Sequence, residues 1–109
     1  MAEVEDSGSA PLGVETSPDA PGGPVIAVSG DLDISSVERL RSAVSEVAAS
    51  HPEELTFDMA RLRFMDSAGI AVLLGAASTV PSVRLRNPTV AVRRVIELTG
   101  LGEVLKVEP

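Results

Sequence analysis

Apolar residues in this chain come in short blocks, and their period changes from block to block. Pro24-Val25-Ile26-Ala27-Val28-Ser29 is apolar without alternation, the pattern of a strand covered on both faces. Gly30-Asp31-Leu32-Asp33 ends it as a loop. Val37, Leu40, Val44, Val47 and Ala48 then fall on one helical face. Ser35-Ser36-Val37-Glu38 reads as a capping box, so the spacing predicts a helix over about 36–50 that stops before Pro52. Leu55–Met59 reads as the next strand and Ala60-Arg61-Leu62-Arg63 as a connection. Ser67–Thr79 is apolar nearly all round, as in a helix packed closely on its neighbours, with Gly69 and Gly75 allowing close approach. Ser82–Arg86 alternates cleanly, as a strand with one wet face does. Asn87-Pro88-Thr89 opens a third helix that buries Val92, Val95 and Ile96 and turns Arg93, Arg94 and Glu97 outward. Gly100 ends it as a C-cap, and Glu103–Val107 reads as the last strand.

Strands alternating with helices define an α/β fold: a mostly parallel sheet of four to five strands with three helices packed on it. In such sheets partners meet the loops at the carboxyl ends of the strands. Two of those loops are polar, Gly30–Asp33 and Met65–Gly69, and they are expected to lie side by side.

Composition narrows the picture. A chain of 109 residues holds one domain at most. Phe57 and Phe64 are its only aromatics, so the core is aliphatic. The net charge is −7, but five of the sixteen acids lie within residues 1–24, which contain no Lys or Arg. That segment also holds four Gly and four Pro. It reads as a disordered acidic tail over residues 1–23, with Leu12-Gly13-Val14 as a short edge strand at most, and the domain then spans 24–109. No basic patch interleaved with aromatics is present, which disfavours nucleic acid. The chain has no Cys, no run of membrane-spanning length and no basic-then-apolar leader, which fits a cytoplasmic protein with no membrane contact.

Candidate chemistry centres on Phe64-Met65-Asp66-Ser67-Ala68-Gly69-Ile70. Asp and Ser side chains cap helix starts, so Asp66-Ser67 belongs where a strand feeds a helix, and an anion is tolerated there. A nucleophilic Ser needs a base. The sole His, His51, precedes Pro52 in a helix–strand turn and faces solvent, and no Gly-x-Ser-x-Gly elbow exists. The chain therefore does not read as an enzyme. A phospho-aspartate receiver built on Asp58 fails because Lys106 lacks the loop setting; Asp58 instead caps or pairs at the strand end with Arg61 or Arg63. Asp31, Asp33 and Asp66 are solvated or capping carboxylates rather than a metal site, and no cofactor is implied. Met59 and Met65 fill the core. The remaining reading is a protein-binding switch. Phosphate on Ser67 would add about −1.5 to −2 charge beside Asp66 and near Asp33, repelling a docked partner while the scaffold survives.

Val28-Ser29-Gly30-Asp31-Leu32-Asp33, Phe64-Met65-Asp66-Ser67-Ala68-Gly69-Ile70, and Asn87-Pro88 through Ile96-Glu97-Leu98-Thr99-Gly100-Leu101 together resemble a STAS domain, most of all the bacterial anti-sigma factor antagonists. The resemblance covers residues 24–108. It implies that an anti-sigma factor serine kinase phosphorylates Ser67, that the unphosphorylated protein binds that kinase and frees a sigma factor, and that a serine phosphatase restores the active form. It assigns Asp31, Asp33, Asp66, Ser67, Ala68 and Gly69 to the partner surface. The protein is then a kinase substrate, a monomer with a dimer left open. Three features depart from the family: no first strand is evident before Pro24, no helix follows the last strand, and Ala68 stands where a second hydroxyl residue is common. The alternative is a STAS subunit that docks on the ATPase of a lipid-transport ABC system without phosphorylation.

Overall fold

A computed structural model describes residues 10–109. In order it runs β1 (Gly13–Ser17), β2 (Val25–Leu32), α1 (Val37–Ala48), β3 (Glu54–Met65), α2 (Ser67–Thr79), β4 (Ser82–Arg86), α3 (Val90–Thr99), a 3₁₀ turn (Leu101–Glu103) and β5 (Lys106–Glu108). The five strands form one sheet in sequential order, β1-β2-β3-β4-β5. β1 pairs antiparallel with β2, and the other three pairings are parallel. The α/β fold with a mostly parallel sheet and three helices is as the sequence predicts.

That strand order decides where the helices go. A parallel crossover is right-handed in nearly every case. β2 to β5 follow one another across the sheet in one direction, so three right-handed crossovers put α1, α2 and α3 on the same face. Burial follows. Along β2, Ile26, Val28, Gly30 and Leu32 are buried, whereas Val25, Ala27, Ser29 and Asp31 are only half covered. The expectation of a strand covered on both faces is therefore corrected. Val37, Leu40, Val44 and Val47 of α1, Val72, Leu73 and Ala76 of α2, and Val92 and Ile96 of α3 meet the inward residues of the sheet, including Phe57, Met59 and Met65. The opposite face is polar. There Arg84 bridges β3 and β5, its Nη2 3.0 Å from Glu54 and its Nε 3.6 Å from Glu108.

The central pair of strands is longer than its sequence pattern suggests. β3 runs on to Met65, and the register against β2 slips twice, at Ala27/Ser29 and at Gly30/Asp31. Each slip sets one extra residue on β3, which is the signature of a bulge. The buried residues Met59, Leu62 and Met65 are consequently three apart, a spacing that reads as a loop although the chain remains strand.

The reading of residues 1–23 as a tail is corrected over the described part. Gly13–Ser17 forms β1, paired from Gly13↔Ser29 to Ser17↔Val25. Leu12 is buried in the core, and its carbonyl accepts from the Arg39 guanidinium. Residues 1–9 lie outside the described part.

Three smaller corrections concern the helices and the last strand. The capping box at α1 does not form: Ser36 makes no side-chain cap bond, and its hydroxyl turns back to donate to the Asp31 carbonyl at 3.0 Å. Glu38 instead pairs with Arg41 on the surface. The last strand starts at Lys106 rather than Glu103, because the 3₁₀ turn uses residues 101–103. Gly75 faces open space, with nothing within 4 Å of where a Cβ would lie, so it is not the close-packing position. Gly100 does cap α3 in the left-handed region, at φ 73°. His51 is an exposed turn residue, as expected.

Candidate functional site

The two polar loops lie side by side at the carboxyl end of the parallel strands. Leu32 is in register with Met65, and the Asp66 N–H donates to the Leu32 carbonyl at 3.2 Å. β3 therefore delivers the start of α2 directly beside the end of β2.

Asp66 is the N-cap of α2. Its Oδ1 accepts from the N–H groups of Ala68 (2.9 Å) and Gly69 (3.4 Å), satisfying two donors that a helix start leaves free. Ser67 is the first helical residue. It is exposed, and its hydroxyl makes no hydrogen bond to any described residue. Ala68 is half-buried against the core. Gly69 is buried: a Cβ there would come 2.7 Å from Leu32 Cδ2 and 2.9 Å from Met65 Cγ. The glycine lets α2 settle onto β2 and β3 and so fixes how Ser67 is presented.

The two acids of the Gly30–Asp33 loop do different things. Asp33 Oδ1 accepts from the Ser35 hydroxyl at 2.6 Å, from the Ser35 N–H at 3.0 Å and from the Ser36 hydroxyl at 3.3 Å. The Ser35 hydroxyl is the main reason its carboxyl is held below the ordinary value. Asp31 turns the other way. Its Oδ2 accepts from the Ala10 N–H at 3.0 Å, and its Oδ1 lies 3.8 Å from Arg63 Nε. With its side chain only 12% exposed, Asp31 clamps the N-terminal segment to the sheet rather than displaying a carboxylate. Asp58 accepts from the Ala60 N–H at 3.1 Å, a local backbone cap as one of the two expected alternatives has it, and it forms no ion pair with Arg61 or Arg63 among the described residues. No group of three or more potential metal ligands occurs among the described residues.

Sequence reasoning missed the apolar part of this end. Ile34 is 80% exposed just beyond β2, and Val90 is 81% exposed at the first residue of α3, beyond β4. Ser67 lies beyond β3, the strand between them. The Thr89 hydroxyl donates to the Leu62 carbonyl at 2.8 Å, which ties the start of α3 to β3. Two large exposed aliphatic side chains thus stand beyond the two strands that neighbour the serine's own. The available signal was an isoleucine inside an otherwise polar loop.

The site is thus a buttressed helix start with an exposed serine at one end of a one-faced α/β sheet. Residues 16–107 match the family described as "Mlab, STAS domain". The chain belongs to the STAS domain family. It is 31% identical over 83 residues to the anti-sigma F factor antagonist of Lysinibacillus sphaericus, covering 72% of this chain and 71% of that one. Among solved structures it resembles an anti-sigma factor antagonist from Mycobacterium paratuberculosis, with TM-score 0.85, 28% identity, and coverage of 93% of this chain and 90% of that one. It also resembles the Bacillus cell fate determinant SpoIIAA. The unphosphorylated form of that protein matches with TM-score 0.73 and 27% identity over 87% of each chain. Its phosphorylated form matches with TM-score 0.67 and 26% identity over 87% of this chain and 90% of that one.

Proposed function

We propose that this chain is an anti-sigma factor antagonist switched by phosphorylation of Ser67. Unphosphorylated, it binds an anti-sigma factor serine kinase through the surface around Ser67, with Ile34, Asp33, Asp66 and Val90 at its rim, and a sigma factor is released. Phosphorylation by that kinase ends the complex, and a serine phosphatase resets it. The chain is the substrate in this cycle, acting in the cytoplasm.

The observation that carries the proposal is the state of the Ser67 hydroxyl: exposed, unbonded to any described residue, and held at the first position of a capped helix. Three further points support it. Asp66 already occupies the N–H groups of Ala68 and Gly69, so a phosphate on Ser67 adds charge beside a fixed carboxylate instead of filling empty donors. The scaffold beneath is independent of that hydroxyl, so modification leaves the fold in place. SpoIIAA is known in both phosphorylated and unphosphorylated forms.

Incubation with the cognate kinase and ATP, followed by peptide mass mapping, tests the assignment. One phosphate on Ser67 is expected, and none on Ser67→Ala, whose stability should stay within about 0.5 kcal/mol of the parent, as for surface changes that remove no bond. Phosphate on another residue contradicts the proposal. Docking on a transporter ATPase with Ser67 never modified would replace it.

A further inference from the structure

Among the described residues both outer strands of the sheet have an unpaired edge, and the two edges are chemically unlike. β1 carries Glu15 at its middle, so a two-fold pairing centred there sets like charges opposite each other. β5 reads Lys106-Val107-Glu108, basic, apolar, acidic. Its backbone polarity follows from one bond. The Asn87 N–H donates to the Glu108 carbonyl at 2.9 Å, so Glu108 turns its backbone groups towards β4. Successive residues of a strand alternate in this respect, so Lys106 also faces β4, whereas the N–H and carbonyl of Val107 point outward, to the free edge.

We infer that β5 pairs antiparallel with β5 of a second copy about a two-fold axis at Val107, joining two five-stranded sheets. An isologous contact must be self-complementary, and this edge is. Val107 opposite Val107 exchanges both outward backbone bonds. Lys106 then lies opposite Glu108 of the second copy, and Glu108 opposite its Lys106, on the polar face where side chains of a non-hydrogen-bonded pair come close. Lys106 is exposed and is in none of the ion pairs among the described residues. On the helix face, Val107 borders an open groove of about 320 Å³ that Ile96, Gly100 and Gly102 also line. Val104, 61% exposed, lies two residues before the strand, ahead of the buried Leu105. A three-residue pairing with one groove is small, so the dimer is weak and concentration-dependent. Because the two β5 strands run in opposite directions, the two Ser67 surfaces face opposite ends of the dimer and both remain open to partners.

Sedimentation of the full chain up to about 1 mM tests the inference, a concentration at which an interaction of about 4 kcal/mol is half saturated. The expected result is a mass that rises from monomer towards dimer. Lys106→Glu alone and Glu108→Lys alone should each remain monomeric, since like charges then meet twice. Mixed in equal amounts, they should form a one-to-one heterodimer in which both charge pairs are attractive. Val107→Pro removes the outward N–H without touching the β4 ladder and should also abolish the dimer while circular dichroism shows a folded chain. Glu15→Lys at the opposite edge should dimerise as the parent does. A parent that stays monomeric throughout the range, or a Lys106→Glu or Val107→Pro variant that dimerises as well as the parent, overturns the inference.

Discussion

At the scale of single residues, the site divides its acids by task. Asp66 spends its carboxylate on the helix start, Asp31 on the Ala10 N–H, and Asp33 on the serines that follow it. The hydroxyl of Ser67 makes no hydrogen bond among the described residues. The lowered ionisation of Asp33 has a testable sign. A carboxyl depressed in the folded state contributes stability that is present above its unfolded value, near 3.8, and is lost as pH falls through the lower folded value. A carbon-detected NMR titration should therefore place the Asp33 midpoint below 3.8, and Ser35→Ala should move it back up. A midpoint at or above the ordinary value, or one indifferent to Ser35, contradicts the hydrogen-bond account. The pairing of Asp66 with Ser67 was legible in the sequence because capping is local chemistry. The clamp by Asp31 was not, since its partner is 21 residues away in a segment whose composition reads as tail.

At the scale of elements, glycine does opposite things at two positions of one helix. Gly69 sits where a side chain would strike Leu32 and Met65, and Gly75 sits over open space. Gly69→Ala should lose about 1–3 kcal/mol in urea denaturation, as overpacking does, whereas Gly75→Ala should gain up to about 1 kcal/mol from helix propensity. A neutral Gly69→Ala would contradict the close seating of α2. The start of α2 was readable from its Asp66 cap, and β4 from its clean alternation. β3 was not readable past Met59, because two bulges replace a spacing of two by a spacing of three. β1 was legible only as a short edge strand for a different reason: what orders it is the burial of Leu12 and the Arg39 bond to the Leu12 carbonyl, neither of which is local. The capping box failed because Ser36 found the Asp31 carbonyl instead.

At the scale of the whole molecule, sequential strand order puts the helices on one face, and among the described residues the order nowhere reverses. What the carboxyl end offers is a surface, with Ile34 and Val90 standing out on either side of Ser67. The family's expected first strand, which the sequence offers only as a short edge strand at Leu12-Gly13-Val14, is present as β1 (Gly13–Ser17). A surface of this kind is switched most simply by changing its charge, since charges across an interface govern partner choice strongly.

The most direct test is a calorimetric titration of the anti-sigma factor kinase with the unmodified chain, with chain phosphorylated on Ser67, and with Ser67→Asp. The account predicts that phosphate and Asp each weaken binding by at least about 1.4 kcal/mol, a tenfold change, with the same thermal stability in all three chains. Equal affinities for the phosphorylated and unmodified chains would contradict it.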